Sequence, residues 1–406
     1  MAKKKENIKV MQVLDTYFPT FDGPTLLVSN YAKSMHKRDD MKVEVLVPKF
    51  PKYKDDAPFP VHRVKSIPAE ENYRCALPMF DGKARKLLKN KEEPFDIVHA
   101  HSPFMLANHA INSARRKKVP SIITLHTRFH EDYDRLLPFK FLRKFMMWYT
   151  MRAFRKAYRV ICVSDGTVDT LHDYGFKGDA KVIRNGTDLV YPTNAQELKQ
   201  RAIKASGLEG KKNIFLSVGR IVENKRLDLA LNAMKILSDK GYEFTYVIVG
   251  SGSYEDKLKK RVSELGLTDK VVFTGKIMDR ELLSGYYLAS DLFIFPSTFD
   301  TASLAPIEAA ALKLPTLMTK GCSTAETIVD DRNGFLAEDD FNAWADRIEQ
   351  IISNADKLPE IKENAYKEVY RSWDDVVSEL REFYEQVIED YARDQEKKGK
   401  KKSKKA

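Results

Sequence analysis

The feature that most constrains this chain is a rhythm of short apolar runs separated by amphipathic segments, broken once near the middle. From Lys9 to about Asp188 the runs read KVMQVLD, VEVLVP, FDIVHAH, SIITLH, RVICVS and KVIRNG. Segments with helical spacing, such as TLLVSNYAKSMHKR and MLANHAINSARRKK, lie between them. Parallel strands need crossover connections, so this alternation predicts a largely parallel sheet with helices on both faces. The runs are nearly all apolar, as strands covered on both sides must be. A polar stretch without strand character, YPTNAQELKQRAIKASGLEGKKN, interrupts the rhythm. It restarts with NIFLSVG, FTYVIVG, VVFTGKI, DLFIFPS and PTLMTK, and from Asp340 onward the pattern is helical.

At 406 residues the chain exceeds the usual size of one core, and the break predicts two Rossmann-like, doubly wound α/β domains. The expected divisions are 1–200, 201–375, a crossover helix 376–394 returning to the first domain, and a disordered lysine-rich tail 395–406. A hinge is expected in 189–212 together with the final helix. Such sheets bind ligands outside the carboxyl ends of their strands, where strand order reverses. With two such edges facing each other, the central cleft is the expected site.

Composition removes several alternatives. No apolar run reaches the ~18 residues of a membrane span. MAKKKENIKVMQVLD passes from lysines into a strand pattern without a signal-peptide core, so a cytoplasmic location is expected. Cys75, Cys162 and Cys322 are few and scattered, which argues against a disulfide framework or a zinc site. Seven of the eleven net positive charges come from the last ten residues, KKGKKKSKKA. That tail suits an anionic lipid surface, or simply solubility, better than it suits nucleic acid, which is not expected as a partner. Residues 136–159, LLPFKFLRKFMMWYTMRAFRKAYR, hold seven basic residues and no acid. Lys140, Lys144, Arg152 and Lys156 share a helical face, and Phe141, Phe145, Met147, Trp148 and Met151 supply apolar surface. This reads as a helix lying in a membrane interface; the alternative is an amphipathic helix packed on the sheet with a solvated basic face.

Polar residues follow the strands of the second half in a suggestive series. Gly219, Arg220 and Lys225 come after NIFLSVG, just before a helix, a combination that favours a diphosphate. Gly250 and Gly252 follow FTYVIVG and give a permissive backbone. After DLFIFPS, Asp300 precedes a helix expected to start near Ser303, and Glu308 lies about one turn inside it. The free N–H groups at such a helix start face the strand ends. Glu308 is placed to accept from a diol such as a ribose, and Asp300 from the hydroxyls of a second sugar. The structural alternatives are helix capping for Asp300 and a solvated charge for Glu308. Diphosphate donors with two hydroxyl acceptors describe a sugar nucleotide. In the first half, His126 ends SIITLH at the edge expected to face the cleft, His99 reads as core and His101 as cleft-facing. No spacing reads as a metal site.

These segments carry a resemblance. GRIVENKRLDLALNAM, VIVGSGSYEDKLKKRVSELGLTDKVVFTGKI, the Asp300–Glu308 segment and ETIVDDRNGFLAE resemble the retaining glycosyltransferases of family 4, which have the GT-B fold. The likeness extends through LDTYFPTFDGPT, FDIVHAHSPF, ITLHTRFHEDY, VICVSDGTVDTLHDYG and VIRNGTD, in the family's order. It implies that Arg220 and Lys225 bind the donor diphosphate, Glu308 the ribose, and Asp300 the transferred sugar. It further implies backbone N–H groups of Ser303 and Leu304 at the phosphates, and Lys276 and Ile277 facing the base. His126 would reach the sugar, and Gly23 would bring the N-terminal loop to the diphosphate. The implied chemistry needs no metal cofactor and consists of same-face attack by the acceptor hydroxyl as the diphosphate leaves.

Two departures mark a subgroup that resembles bacterial 1,2-diacylglycerol glucosyltransferases. Asp300-Thr-Ala-Ser stands where the family usually has glutamate and a glycine-containing loop, and Asp22-Gly23-Pro24 where it has paired glycines. The expected activity is transfer of a hexose, from UDP-glucose, to a membrane lipid such as diacylglycerol, at the inner face of the plasma membrane. The alternatives are a soluble family 4 enzyme acting on a saccharide and a sugar-nucleotide-binding protein with impaired catalysis.

Overall fold

The apolar runs become the parallel strands of two separate sheets. The computed structural model describes residues 6–403 apart from 21, 71–72 and 89–92. It divides into two units, Met1–Asn185 with Trp373–Ala406, and Gly186–Ser372.

The first unit holds β1 (Ile8–Val13), β2 (Met41–Pro48), β3 (Val61–Val64), β4 (Ser66–Glu70), β5 (Tyr73–Ala76), β6 (Ile97–Ala100), β7 (Ser121–Leu125), β8 (Arg159–Cys162) and β9 (Ala180–Val182). Seven of these form one parallel sheet in the order β3-β2-β1-β6-β7-β8-β9, while β4 and β5 pair as an antiparallel hairpin. Strand order reverses at β1 and β6, where Val10 pairs with Val43 on one side and Ile97 on the other. The residues of β6 and β7 are buried throughout, which is why these strands read as unbroken apolar runs. Asp22 caps the helix Gly23–His36 by accepting from the Thr25 N–H at 2.8 Å, with Pro24 in its first turn. Against that helix packs the last one, Trp373–Ser403, which buries Val376, Val377, Leu380, Tyr384 and Val387.

The second unit holds β10 (Ile214–Val218), β11 (Thr245–Val249), β12 (Val271–Gly275), β13 (Leu292–Phe295), β14 (Thr316–Thr319) and β15 (Phe335–Ala337), all parallel, in the order β12-β11-β10-β13-β14-β15. Order reverses at β10 and β13. One face is covered by the helices Leu227–Asp239 and Phe341–Ser353 with Trp344 fully buried, the other by Arg280–Ala289 and Ala305–Ala311.

Three expectations about organisation differ from the structure. The stretch 189–212, read as a polar break and hinge, contains the helix Ala195–Ala205, which packs on Arg280–Ala289 inside the second unit. The approach is close: a Cβ on Gly285 would lie 2.3 Å from the Leu198 carbonyl oxygen. The division therefore falls at Asn185/Gly186 rather than at 200. The final helix continues to Ser403, so the lysine-rich segment from 395 is helical to that point; residues 404–406 lie outside the described residues.

Candidate active site

The second unit builds its site where strand order reverses, from the loops after β10 and β13. Beyond the strand ends the backbone ladder continues: the Gly219 N–H donates to Val249 O at 3.0 Å and the Ile221 N–H to Ser251 O at 2.9 Å. Gly219 and Gly250 have φ of +150° and +143°, and a Cβ on Gly250 would lie 1.8 Å from Gly219 O. A Cβ on Gly252 would lie 2.3 Å from Ile221 O. Only glycine lets these two loops lie against each other. The sequence suggested permissive backbone for a ligand; what the geometry requires of Gly250 and Gly252 is this loop-to-loop approach.

After Ile221 a short 3-10 turn, Glu223–Lys225, leads to the helix Leu227–Asp239. It delivers Lys225 into a pocket lined by Gly219, Arg220, Phe295, Pro296 and Ser297. The Lys225 Nζ donates to both oxygens of Asp300, at 2.6 and 2.7 Å, and lies 5.6 Å from the Phe295 ring centroid. The two loops are tied again by Ser297 Oγ donating to Asn224 O at 3.2 Å, and Thr324 Oγ1 holds the Asp300 carbonyl at 3.0 Å. Asp300 is thus no helix cap; the cap position belongs to Leu304, without a side-chain bond. The exposed Arg220 guanidinium has no hydrogen-bond or ion-pair partner among the described residues. One free cation and one cation held by an acid therefore line the same pocket.

The helix of the third loop runs Ala305–Ala311, two residues later than expected, so Ser303 and Leu304 precede it. Glu308 is not a solvated charge. Its Oε1 accepts from Arg280 Nη1 at 3.1 Å and its Oε2 from the buried Tyr287 hydroxyl at 2.9 Å, and only 13% of the side chain is exposed. Arg280 also bonds Asp188. Burial, then the Glu308 charge, pushes the Tyr287 phenol well above its ordinary range, which keeps it a donor. Arg280 and Tyr287 were not foreseen. No local spacing announces them, because their roles exist only once the helix Arg280–Ala289 lies beside Ala305–Ala311. Lys276 and Ile277 follow the outer strand β12; Lys276 is exposed and Ile277 packs against the core.

The first unit carries the two remaining candidates. Gly23 opens the helix capped by Asp22, and a Cβ there would meet nothing within 4 Å. His126 follows β7 and ends a chain of polar contacts. His126 Nε2 lies 3.1 Å from His101 Nδ1; His101 Nε2 bonds Gln12 Oε1; Gln12 Nε2 lies 3.2 Å from Tyr384 Oη; Tyr384 Oη lies 2.6 Å from His99 Nδ1; His99 Nε2 lies 2.6 Å from Thr124 Oγ1. His101, expected to face the cleft, is 3% exposed, with both ring nitrogens in contact with neighbouring side chains. Burial holds His99 and His101 well below the ordinary histidine value and lowers His126 to about 3. At the strand reversal of this sheet, Asp15 accepts from Ser102 Oγ and the Leu106 N–H at 2.7 Å each, and burial raises its pKa against those bonds.

Residues 21–191 match the family model Glycosyltransferase Family 4, and residues 198–368 match Glycosyl transferases group 1. The chain belongs to glycosyltransferase family 4. Among its relatives, the alpha-monoglucosyldiacylglycerol synthase of Streptococcus pneumoniae (strain ATCC BAA-255 / R6) is 28% identical over 89% of this chain and 85% of that one. The Acholeplasma laidlawii protein of the same name is 24% identical over 69% and 72%. Among solved structures, HepE of Anabaena in complex with UDP-glucose superposes with a TM-score of 0.67 at 19% identity, covering 96% of this chain and all of that one. The fold is GT-B, with one Rossmann-like sheet in each unit. In this family 4 transferase, Gly219, Arg220 and Lys225 of the second unit line one pocket, and Asp300 holds Lys225 there. Glu308 stands on the neighbouring helix with an anchorage of its own.

Proposed function

We propose that the protein transfers glucose from UDP-glucose to a membrane lipid acceptor such as diacylglycerol, with retention of configuration. The observation that carries this reading is the pocket at the β10/β13 reversal, where Arg220 has no partner among the described residues and Lys225 is aimed by Asp300. An ammonium has three donors, and Asp300 engages two, so one remains for a phosphate oxygen. As the bond to the sugar breaks, charge collects on the diphosphate, and preorganised cations stabilise it more than the ground state. Asp300 accepts from the sugar hydroxyls while it orients Lys225. Glu308 has lone pairs left beside those used by Arg280 and Tyr287, and these receive the ribose diol. The amides of Ser303 and Leu304 assist at the phosphates, and Lys276 and Ile277 border the base. His126 contacts the sugar, and Gly23 serves the N-terminal loop's part in binding the diphosphate.

The donor is supported by the UDP-glucose complex of HepE, and the acceptor by the names of the two glucosyldiacylglycerol synthases. A lipid acceptor also accords with the helix Lys140–Lys156. Its second half buries Met151, Ala153 and Phe154, so Met151 belongs to the core rather than to a lipid-facing surface. The first half leaves Phe141 70% and Trp148 53% exposed beside Lys140 and Lys144. Aromatic and basic side chains together at a surface suit an anionic bilayer interface. The lysine-rich end of the chain adds a second electrostatic attachment.

The experiment is UDP release by the purified protein with liposomes of varied diacylglycerol and anionic-lipid content. Release that requires the lipid acceptor is the expected result. Release with soluble saccharides alone would move the assignment to a saccharide transferase, and UDP binding without any turnover would remove the enzyme reading.

A further inference from the structure

The buried chain from Thr124 to His126 has a direction, and one thioether decides it. Gln12 sits on β1 with no exposed surface, and its amide nitrogen lies 3.5 Å from Met35 Sδ and 3.2 Å from Tyr384 Oη. A thioether carries no proton and can only accept, so the amide nitrogen, not the carbonyl oxygen, belongs on that side. The Gln12 oxygen then faces His101 and can only accept, which places a proton on His101 Nε2. A buried ring that is neutral carries one proton, so His101 Nδ1 is bare and accepts from His126 Nε2 at 3.1 Å. In the other direction Tyr384 Oη accepts from Gln12 and donates a hydrogen bond to His99 Nδ1, which leaves His99 Nε2 to donate to Thr124. The donors of Gln12, Tyr384, His99 and His101 each meet an acceptor in this arrangement.

We infer that Gln12 is a positioning residue for His126, fixing through His101 which ring nitrogen of His126 carries the proton. The inference rests on the sugar contact proposed for His126. Its chemical consequence is that His126 meets the donor sugar as an uncharged ring with a fixed tautomer. A positive charge at that place would oppose the oxocarbenium-like charge that a sugar develops when its leaving group departs.

The test is made on the full-length protein, by long-range proton–nitrogen spectra of its histidines, assigned with His126→Gln. Wild type should show His126 neutral with the proton on Nε2; an imidazolium, or a proton on Nδ1, overturns the inference. Gln12→Met keeps the length and removes both amide groups. It should change the His101 and His126 patterns and lower kcat about ten- to a hundredfold, with donor KM within about twofold. Full kcat in Gln12→Met overturns the positioning role. Tyr384→Phe leaves the Met35 and His101 contacts of Gln12 in place, so it should keep the His126 tautomer, and loss of that tautomer overturns the account of direction. The spectra need no donor. Wild type that transfers no sugar counts against the proposed function, whereas a wrong tautomer counts against Gln12 alone.

Discussion

The two strand reversals in this chain share a topology and differ in electrical character. After β10 and β13 come ionised side chains with partial access to solvent: Arg220, without a partner among the described residues, and Lys225, held by Asp300. Around β1 and β6, apart from Asp15, come neutral groups closed inside the unit: Gln12, His99 and His101. Ionised groups cost least where water still reaches them, and neutral polar groups tolerate full burial only when each finds a partner. The proposed function assigns the anion to the first edge and the uncharged sugar to the second, in keeping with that difference. Doubly wound sheets supply the position, and the side chains beyond the strand ends decide what each position receives.

The contrast can be broken in several places. Lys225→Ala should give the largest effect, a loss of ~10²–10³ in turnover with an unchanged circular dichroism spectrum; an active variant would remove the charged edge from the chemistry. Glu308→Gln keeps the Tyr287 contact and gives up the charge that holds Arg280. It should raise the donor KM about tenfold, measured by steady-state kinetics, with stability changed far less.

The neutral edge is sharpened by pH. His126 titrates at about 3 in the folded chain, and His99 and His101 well below their ordinary value of 6.5. Between the folded and unfolded values the unfolded chain binds more protons, so stability rises with pH through that window and is complete above ~6.5. Thermal unfolding should therefore shift downward from about pH 7 to about pH 4, with the protection factors of amides in β1 and β6 falling alongside. A flat profile would mean that the three rings are not held neutral. The smallest change expected is Ser102→Ala, which removes one donor from Asp15. It should cost about 1 kcal/mol of unfolding free energy and leave the donor KM as it was.

Much of this was legible in the sequence, and the parts that were not have physical causes. DLFIFPS announced β13 because a strand covered on both faces must be apolar along its length. The hairpin β4–β5 and the short β15 went unread, since runs of three to five residues with mixed burial lack a period. AQELKQRAIKASG has helical spacing and ends in Gly207, but the polar sequence on either side hides the helix Ala195–Ala205. Within the site, Asp300 and Lys225 were each identifiable from the strand they follow. Their bond was not, because it joins residues 75 positions apart. Arg280 and Tyr287, which hold Glu308, and Gln12 and Tyr384, which join the histidines, likewise depend on how distant helices pack.

The last helix has a consequence for how the molecule is made. Gly186–Ser372 is continuous, so that unit has all its residues as soon as Ser372 has left the ribosome. The other unit is drawn from both sides of that segment and lacks Val376, Leu380 and Tyr384 until they have followed it. The unit that supplies Gln12 and His99 is thus closed only after the whole of Gly186–Ser372 has been translated, when the Tyr384 phenol that bonds both of them arrives.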